Sequence, residues 1–307
     1  MTQAPIAKKI LRDVFIKQNV IKDEYAWLRD DNYPDVSVEI LDHLKAENNY
    51  AESFRLEFRG LEDKFFQEMK GRIVEEDMSW PIKMGAYEYF SRTKAGLNHP
   101  IYYRRDLKHE HEITLLDPNL MAGDSKAFSI GAMAVSRCHK FISFSYDMAG
   151  KERYSVRVKN LTNGETFSDT LEDTSGGVIW DADSRGFFYL KLDDKWRANR
   201  LYYHRLGDMQ SADTMILHEE DDVFRLALDE TSDEKYLMIY AVSSTSSECY
   251  YLHLDQINAQ PKKIYDRSHE HLVEIDHQDG FFYMKINDVE RDFRLVKFPV
   301  DSLAQSS

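Results

Sequence analysis

"DTSGGVIWDADSRGFFYL", residues 173 to 190, decides the fold because it invites two incompatible readings. Ser175 stands directly against Gly176 and Gly177, as a catalytic serine on a tight turn would. A nucleophile elbow needs Gly-x-Ser-x-Gly, since small residues on both sides let a strained strand-to-helix turn lift the hydroxyl clear of the backbone. No glycine precedes Ser175 by two positions, and no two of the 13 glycines stand four apart. A phosphate loop fails for want of Gly-Lys-Ser/Thr, and a dinucleotide fingerprint for want of spaced glycines before a helix. After Gly177 the chain turns to strand chemistry: Val178, Ile179 and Trp180, then the turn Asp183-Ser184-Arg185-Gly186, then strand again from Phe187 to Leu190. The glycines enter a hairpin, with Ser175 as the turn residue that introduces it.

The hairpin recurs. "VSRCHKFISFSYD", "ADSRGFFYLKLDD", "TSDEKYLMIYAVS" and "HQDGFFYMKINDV" align on the aromatic after the turn, Phe141, Phe187, Tyr236 and Phe281, at intervals of 46, 49 and 45. Later strands, "RYSVRVKNL", "RLYYHRL", "CYYLHL" and "FRLVKF", keep the period, with Tyr154, Leu201, Tyr250 and Phe293 spaced 47, 49 and 43. A last strand closes each unit: "EITLL", "TFSDTL", "TMILH" and "KKIY". Four strands per unit of ~40 to 50 residues is the signature of a β-propeller blade, whose sheet buries both faces against its neighbours. The four aromatics are expected at equivalent places on the second strand of successive blades, with each first strand nearest the axis and each last strand at the rim. Four blades fall near 72–120, 121–174, 175–222 and 223–268, and a fifth begins at His269 with three recognisable strands.

The first 71 residues read differently, as a charged arm that turns helical from about Pro34. Two helices are predicted, and Phe54, Phe58, Leu61, Phe65 and Met69 recur at intervals of three and four along one helix face. The expected fold class is mainly β: an N-terminal helical arm over 1–71, then a partial, open propeller over 72–307, four blades and most of a fifth. An open ring leaves apolar blade faces in water, so the chain reads as a fragment. Its apolar ends would be the arm and the last unit, where Phe281, Phe282, Phe293 and Leu295 would meet a next blade.

With 42% hydrophobic and 13% aromatic residues the 307-residue chain has ample material for a core. Lys plus Arg is 40 against 54 Asp plus Glu, a net charge of -14, so a phosphate backbone would be repelled and nucleic acid is not an expected partner. Cys138 and Cys249 match no metal or redox spacing and suit reduced thiols. No apolar run has the length of a signal peptide or of the ~20 residues a membrane helix needs, which predicts a cytoplasmic protein without membrane contact.

Several longer stretches, in order, carry a resemblance. "DEYAWLRDDNYP", "HLKAENNY" and "LEDKFFQEMKGRI", then "YEYFSRTKAGLNHPIYYRR", "LLDPNLMA", "FSIGAMAVS", "YSVRVKNLTNGE", "DTSGGVIWDADSRGFFY", "YYHRLG" and "SSTSSECYYL", closely resemble the N-terminal part of the prolyl oligopeptidase family in its oligopeptidase B (protease II) branch. The likeness spans about Asp23 to Pro299. It implies a serine peptidase in which a seven-bladed propeller caps an α/β-hydrolase domain and restricts substrates to short peptides, cleaved after Arg or Lys. It implies that the helical arm packs with that hydrolase domain. The serine elbow, the triad and the oxyanion hole of the family have no matching position in these residues. No catalytic residue is assigned, the substrate-binding residues are left open, and no cofactor is expected.

Two further constellations could carry chemistry. His109-Glu110-His111 and His269-Glu270-His271, with His277 nearby, invite a metal, since alternate residues of a strand share a face. Both runs sit in charged segments between strands, so solvated loops are the reading and no metal is assigned. Glu219 to Asp222, "EEDD", is a blade-to-blade loop, because paired carboxylates act across a cleft and not side by side in a turn. Three functions stay open: the N-terminal and propeller portion of an oligopeptidase B-like peptidase, inactive alone; a stand-alone propeller-like binding module; and one half of a split peptidase.

Overall fold

The computed structural model describes residues 3–16, 18–30, 35–289 and 292–305. The chain divides into two compact units, Met1–Glu75 and Glu76–Ser307.

The first unit opens with a two-stranded hairpin that the sequence pattern does not announce, β1 (Arg12–Ile16) paired with β2 (Asn19–Asp23). Trp27 anchors the segment after it, buried and donating its indole N–H to the Lys8 carbonyl at 2.8 Å. Next are two helices, α1 (Val38–Arg55) and α2 (Arg59–Lys70). Pro34, where the helical reading begins, lies outside the described residues. The apolar stripe does not run along one helix. The helical path breaks over Leu56–Phe58, which leaves Phe54 on α1, Phe58 at the N-cap of α2, and Leu61, Phe65 and Met69 on α2. Arg55 spans the joint to Glu62 at 3.0 Å and Arg59 reaches back to Glu52, so charged side chains on both helices hold the bend. All five apolar residues stay 45 to 65% exposed.

The second unit is a succession of antiparallel sheets. The first is β3 (Ile82–Met84), β4 (Tyr87–Arg92), β5 (Ile101–Asp106) and β6 (Glu112–Leu116), with the short α3 (Pro118–Ala122) after it. Next come β7 (Ser129–Val135), β8 (Phe141–Asp147) and β9 (Tyr154–Asn160), joined into one seven-stranded sheet with β10 (Leu171–Trp180), β11 (Gly186–Leu192), β12 (Ala198–Arg205) and β13 (Thr214–His218). The fourth blade is β14 (Arg225–Glu230), β15 (Tyr236–Val242), β16 (Ser247–His253) and β17 (Lys262–Tyr265). A three-stranded sheet of β18 (Val273–Gln278), β19 (Phe281–Ile286) and β20 (Arg294–Pro299) is the fifth. The fold is mainly β and built of propeller blades.

The seven-stranded sheet corrects the reading of Ser175. β10 closes the second blade by pairing Leu171 and Thr174 with β9, then runs on and opens the third by pairing Val178 to Trp180 with β11. Ser175 therefore sits mid-strand, at a register shift between Thr174 and Val178, and not in a turn. Gly176 makes the shift possible. Its φ is +94°, and a Cβ there would lie 2.9 Å from the Ser145 hydroxyl. The predicted fourth strand "TFSDTL" begins too early, since Thr166 makes only an isolated bridge, to Lys159.

Hairpin turns set the repeat. Ser136, Asp181 and Thr231 each donate a backbone N–H to the carbonyl five residues on, of Phe141, Gly186 and Tyr236, at 3.0 to 3.1 Å. The fourth residue of each turn, His139, Ser184 and Glu234, is left-handed. By this register Gly186, not Phe187, is the equivalent of Phe141 and Tyr236. A slip of one residue moves a side chain to the other face of the sheet. Phe187 accordingly belongs with Ile142, Leu237 and Phe282, four side chains no more than 2% exposed, each turned toward the preceding blade. Phe282 thus faces back into the fourth blade and not toward a next one. Gly186 has no side chain because Tyr203 occupies the space: a Cβ would meet its hydroxyl at 2.5 Å, and that hydroxyl donates to Asp181 at 2.6 Å. The later register is corrected likewise. Val156, Leu201, Cys249 and Leu295 are the equivalent ladder positions, opposite Ser145, Leu190, Tyr240 and Lys285, while Phe293 precedes β20.

Both faces of each inner sheet are used. In β15, Leu237, Ile239 and Ala241 join Phe188, Leu190 and Leu201 of the third blade, while Met238 and Tyr240 join Phe282, Met284 and Ile286 of the fifth. This is why "YLMIYAV" is continuously apolar instead of alternating.

Candidate functional site

The residues singled out from sequence do not assemble into a catalytic centre. Ser175 lines a cleft with Trp196, Lys195 and Asp222, and no histidine shares that wall. The His109 ring is 64% exposed and contacts Asp106 at 3.2 Å on a turn. His271 accepts or donates at 2.6 Å to the Tyr265 hydroxyl, and His277 is buried with its Nδ1 2.8 Å from Asp233. The side chain of His269 lies outside those described. Among the described residues no three His, Cys, Asp or Glu side chains gather as a metal site. Cys138 and Cys249 are both free thiols.

"EEDD" separates. Glu219 is 7% exposed and bonds Arg267, whose guanidinium also holds Glu248 at 3.1 Å and lies 4.0 Å from the centre of the Phe224 ring. Lys263 adds a second cation to Glu248 at 2.9 Å. Burial alone would raise the Glu248 carboxyl, but Arg267, Tyr250 and Lys263 outweigh it and hold it below the usual carboxylate range. Asp222 turns outward to Lys195 and Arg197. The four acids lie in the loop between β13 and β14, and one of them, Glu219, is the keystone of a buried ionic network.

A second buried network joins the two halves of the seven-stranded sheet. His204 has Nδ1 at 2.7 Å from Asp213 and Nε2 at 3.3 Å from Asp169, all three essentially without exposure. Tyr189 donates to the other Asp213 oxygen at 2.8 Å. These groups satisfy one another and present nothing to a substrate.

A third group of acids lines a cleft of about 820 Å³ between the fourth and fifth blades. Asp229 and Glu230 on β14 and Glu274 and Asp276 on β18 line it, over Tyr240 and Tyr283. Asp276 accepts from Ser232 at 2.6 and 2.7 Å, which overcomes burial and keeps its carboxyl low. Glu230 is the opposite case: burial pushes it up in spite of Arg137. Lys285, the cation in the wall, is spent on Glu274 at 3.1 Å. Acids of different strength around an aromatic floor form a surface for cationic groups. Sequence reasoning does not single out these four acids, although their place on the first strands of two successive blades is legible.

A family model described as the prolyl oligopeptidase N-terminal beta-propeller domain matches residues 5–307. The chain belongs to the prolyl oligopeptidase family. It is 25% identical to Protease 2 of Moraxella lacunata over 98% of this chain and 44% of that protein. It is 30% identical to dipeptidyl aminopeptidase BI of Pseudoxanthomonas mexicana over 81% of this chain and 38% of that one. The structure of oligopeptidase B from Leishmania major superposes with a TM-score of 0.91 at 24% identity, covering 99% of this chain and 46% of that one. The chain thus spans less than half the length of these relatives. Within the family it is the propeller domain, which accounts for a sequence rich in blade turns and without a serine elbow. Among the described residues no helix is long and apolar enough to cross a membrane.

Proposed function

We propose that these residues are the N-terminal and propeller portion of an oligopeptidase B-like serine peptidase that cleaves short peptides after Arg or Lys, with catalysis supplied by an α/β-hydrolase domain and the propeller limiting substrate size. The observation that carries the reading is the uncovered apolar face of the helical unit. Phe54, Phe65 and Met69 are more than half exposed, Phe58 and Leu61 only slightly less, and each large side chain left in water forgoes ~1.5 to 3 kcal/mol of burial. A hydrolase domain docked there recovers that term. The acid-lined cleft between the fourth and fifth blades, on a chain of net charge -14, supports a preference for basic peptides by long-range attraction. Neither a nucleic acid nor a membrane enters this reading.

The residues by themselves are then inactive, because nucleophile, base and oxyanion hole must come together for peptide hydrolysis. The test is reconstitution. The purified chain is mixed with the separately expressed hydrolase domain of Protease 2 and assayed on fluorogenic Arg, Lys and Pro peptides. A defined heterodimer, protection of the helical unit from proteolysis, and cleavage after Arg and Lys are expected. Serine-inhibitor-sensitive cleavage by the chain alone overturns the proposal, and a protease-resistant helical unit with no affinity for the hydrolase domain favours a stand-alone binding module.

A further inference from the structure

The blades can be compared position by position along the third strand. The residues opposite the third and first buried positions of each second strand are Tyr202 and His204 in the third blade, Tyr250 and Leu252 in the fourth, and Val296 and Phe298 in the fifth. These face the preceding blade and pack against it, and two of the polar ones have carboxylate partners, Asp213 and Asp169 for His204 and Glu248 for Tyr250. In the second blade the same two places are Arg157, opposite Phe144, and Lys159, opposite Ile142.

A cleft of about 670 Å³ lies against the first blade, walled by Met121, Phe128, Phe144 and Tyr146, with Arg157 and Lys159 in its lining. Its mouth carries Leu120 and Met148, 82% and 48% exposed. Neither cation has a carboxylate within reach among the described residues. Lys159 donates to the Leu115 carbonyl at 2.9 Å and Arg157 to the Phe167 carbonyl at 3.1 Å, which leaves the buried Arg157 Nε without an acceptor. The acid in the wall, Asp117, accepts the backbone and side-chain amides of Asn119 on Oδ1 at 3.0 and 3.1 Å and makes no ion pair with Arg157 or Lys159. Two like charges two residues apart on one strand face repel, and burial lowers the proton affinity of Lys159. An anion would relieve both costs. In a chain of net charge -14, an uncompensated cationic pair over an apolar wall is complementary to one kind of ligand.

We propose that the cleft between the first and second blades binds an organic carboxylate with an apolar body, its carboxylate held by Arg157 and Lys159 and its alkyl or aryl part lying against Phe128, Phe144 and Tyr146. The pairing uses the bidentate geometry of a guanidinium and the point charge of an ammonium, while the apolar wall supplies the rest of the contact.

Calorimetric titration of the purified chain with octanoate, octanamide and octylamine tests this. Saturable one-to-one binding of octanoate is expected, at least tenfold tighter than octanamide, with no binding of octylamine. Lys159→Met and Arg157→Met each reduce octanoate to the level of octanamide while octanamide itself is unchanged, which shows that the cleft is intact. Should a variant not fold, the methyl resonances of Met121 and Met148 in the unaltered chain decide, and both shift with octanoate at the calorimetric midpoint. Equal affinity for octanoate and octanamide, octanoate binding undiminished in the variants, or methyl groups unmoved by bound octanoate would each overturn the assignment.

Discussion

Helix α2 and strand β11 are both rich in large apolar side chains, yet they end in opposite environments. β11 buries Phe187, Phe188, Tyr189 and Leu190, with none more than 5% exposed, because the chain itself supplies a sheet on either side. α2 leaves Leu61, Phe65, Phe66 and Met69 at 48 to 65%. In a blade array the covering surface arrives within the next fifty residues of sequence, so apolar content converts directly into burial. For an amphipathic helix the period shows that a cover is required without showing where it comes from.

The contrast gives a ranked set of expectations for the chain on its own, each read by chemical denaturation. Phe188→Ala removes a fully buried ring from the cluster between the third and fourth blades and should cost ~3 to 5 kcal/mol, while Phe65→Ala should stay within about 0.5 kcal/mol. Equal costs would mean that α2 is covered by the chain itself. Arg267→Met comes next, at about 3 kcal/mol, since it strands Glu219 in the interior and leaves Glu248 with Lys263 as its one cation among the described residues. A neutral outcome would show that Lys263 at Glu248 and the Asp221 backbone N–H at Glu219 suffice to hold the two acids. Within the third blade, Gly186→Ala should cost ~1 to 3 kcal/mol, because its Cβ would lie 2.2 Å from the His204 carbonyl oxygen. Gly177→Ala has nothing within 4 Å and should be neutral or stabilising by about 0.5 kcal/mol.

The smallest effect is the pH dependence at His204. Burial pulls its proton affinity down, but Asp213 and then Asp169 outweigh burial, so the folded-state pKa lies above the ordinary 6.5. The stabilisation is complete below that ordinary value and is lost as pH rises through the raised one. Denaturation midpoints compared between pH 5.5 and 9 should fall for the native chain and lose that component in His204→Gln. An unchanged slope would mean that the imidazole is neutral between its two acids.

The propeller was legible because blade turns recur at nearly constant intervals and the strands between them are apolar on both faces. Its register was not, since aromatic side chains occur on both faces and aligning Phe187 with Phe141 and Tyr236 looks as good as aligning the correct Gly186. Only the turn hydrogen bonds and the left-handed fourth residue discriminate. The ionic networks were illegible for a different reason: Glu219 and Arg267 are 48 residues apart, and nothing local in "EEDD" marks which acid turns inward. The acids of the cleft between the fourth and fifth blades read as ordinary polar positions on short strands. Arg157 and Lys159 carried a signal that could have been used. In "YSVRVKN" the alternation suits a strand with one face in water, and a blade interior has no such face.

Most neighbouring blades are joined by loops, but the second and third share β10, which is the last strand of one and the first of the other. Load applied to either blade is therefore carried along a continuous hydrogen-bonded ribbon rather than dissipated in a slack connection. The two blades are therefore expected to open together, with amide exchange across them proceeding as a single event. Among the register shifts of this sheet, the one at Gly176 lies on the shared strand itself, and its left-handed backbone is a point at which the ribbon already turns.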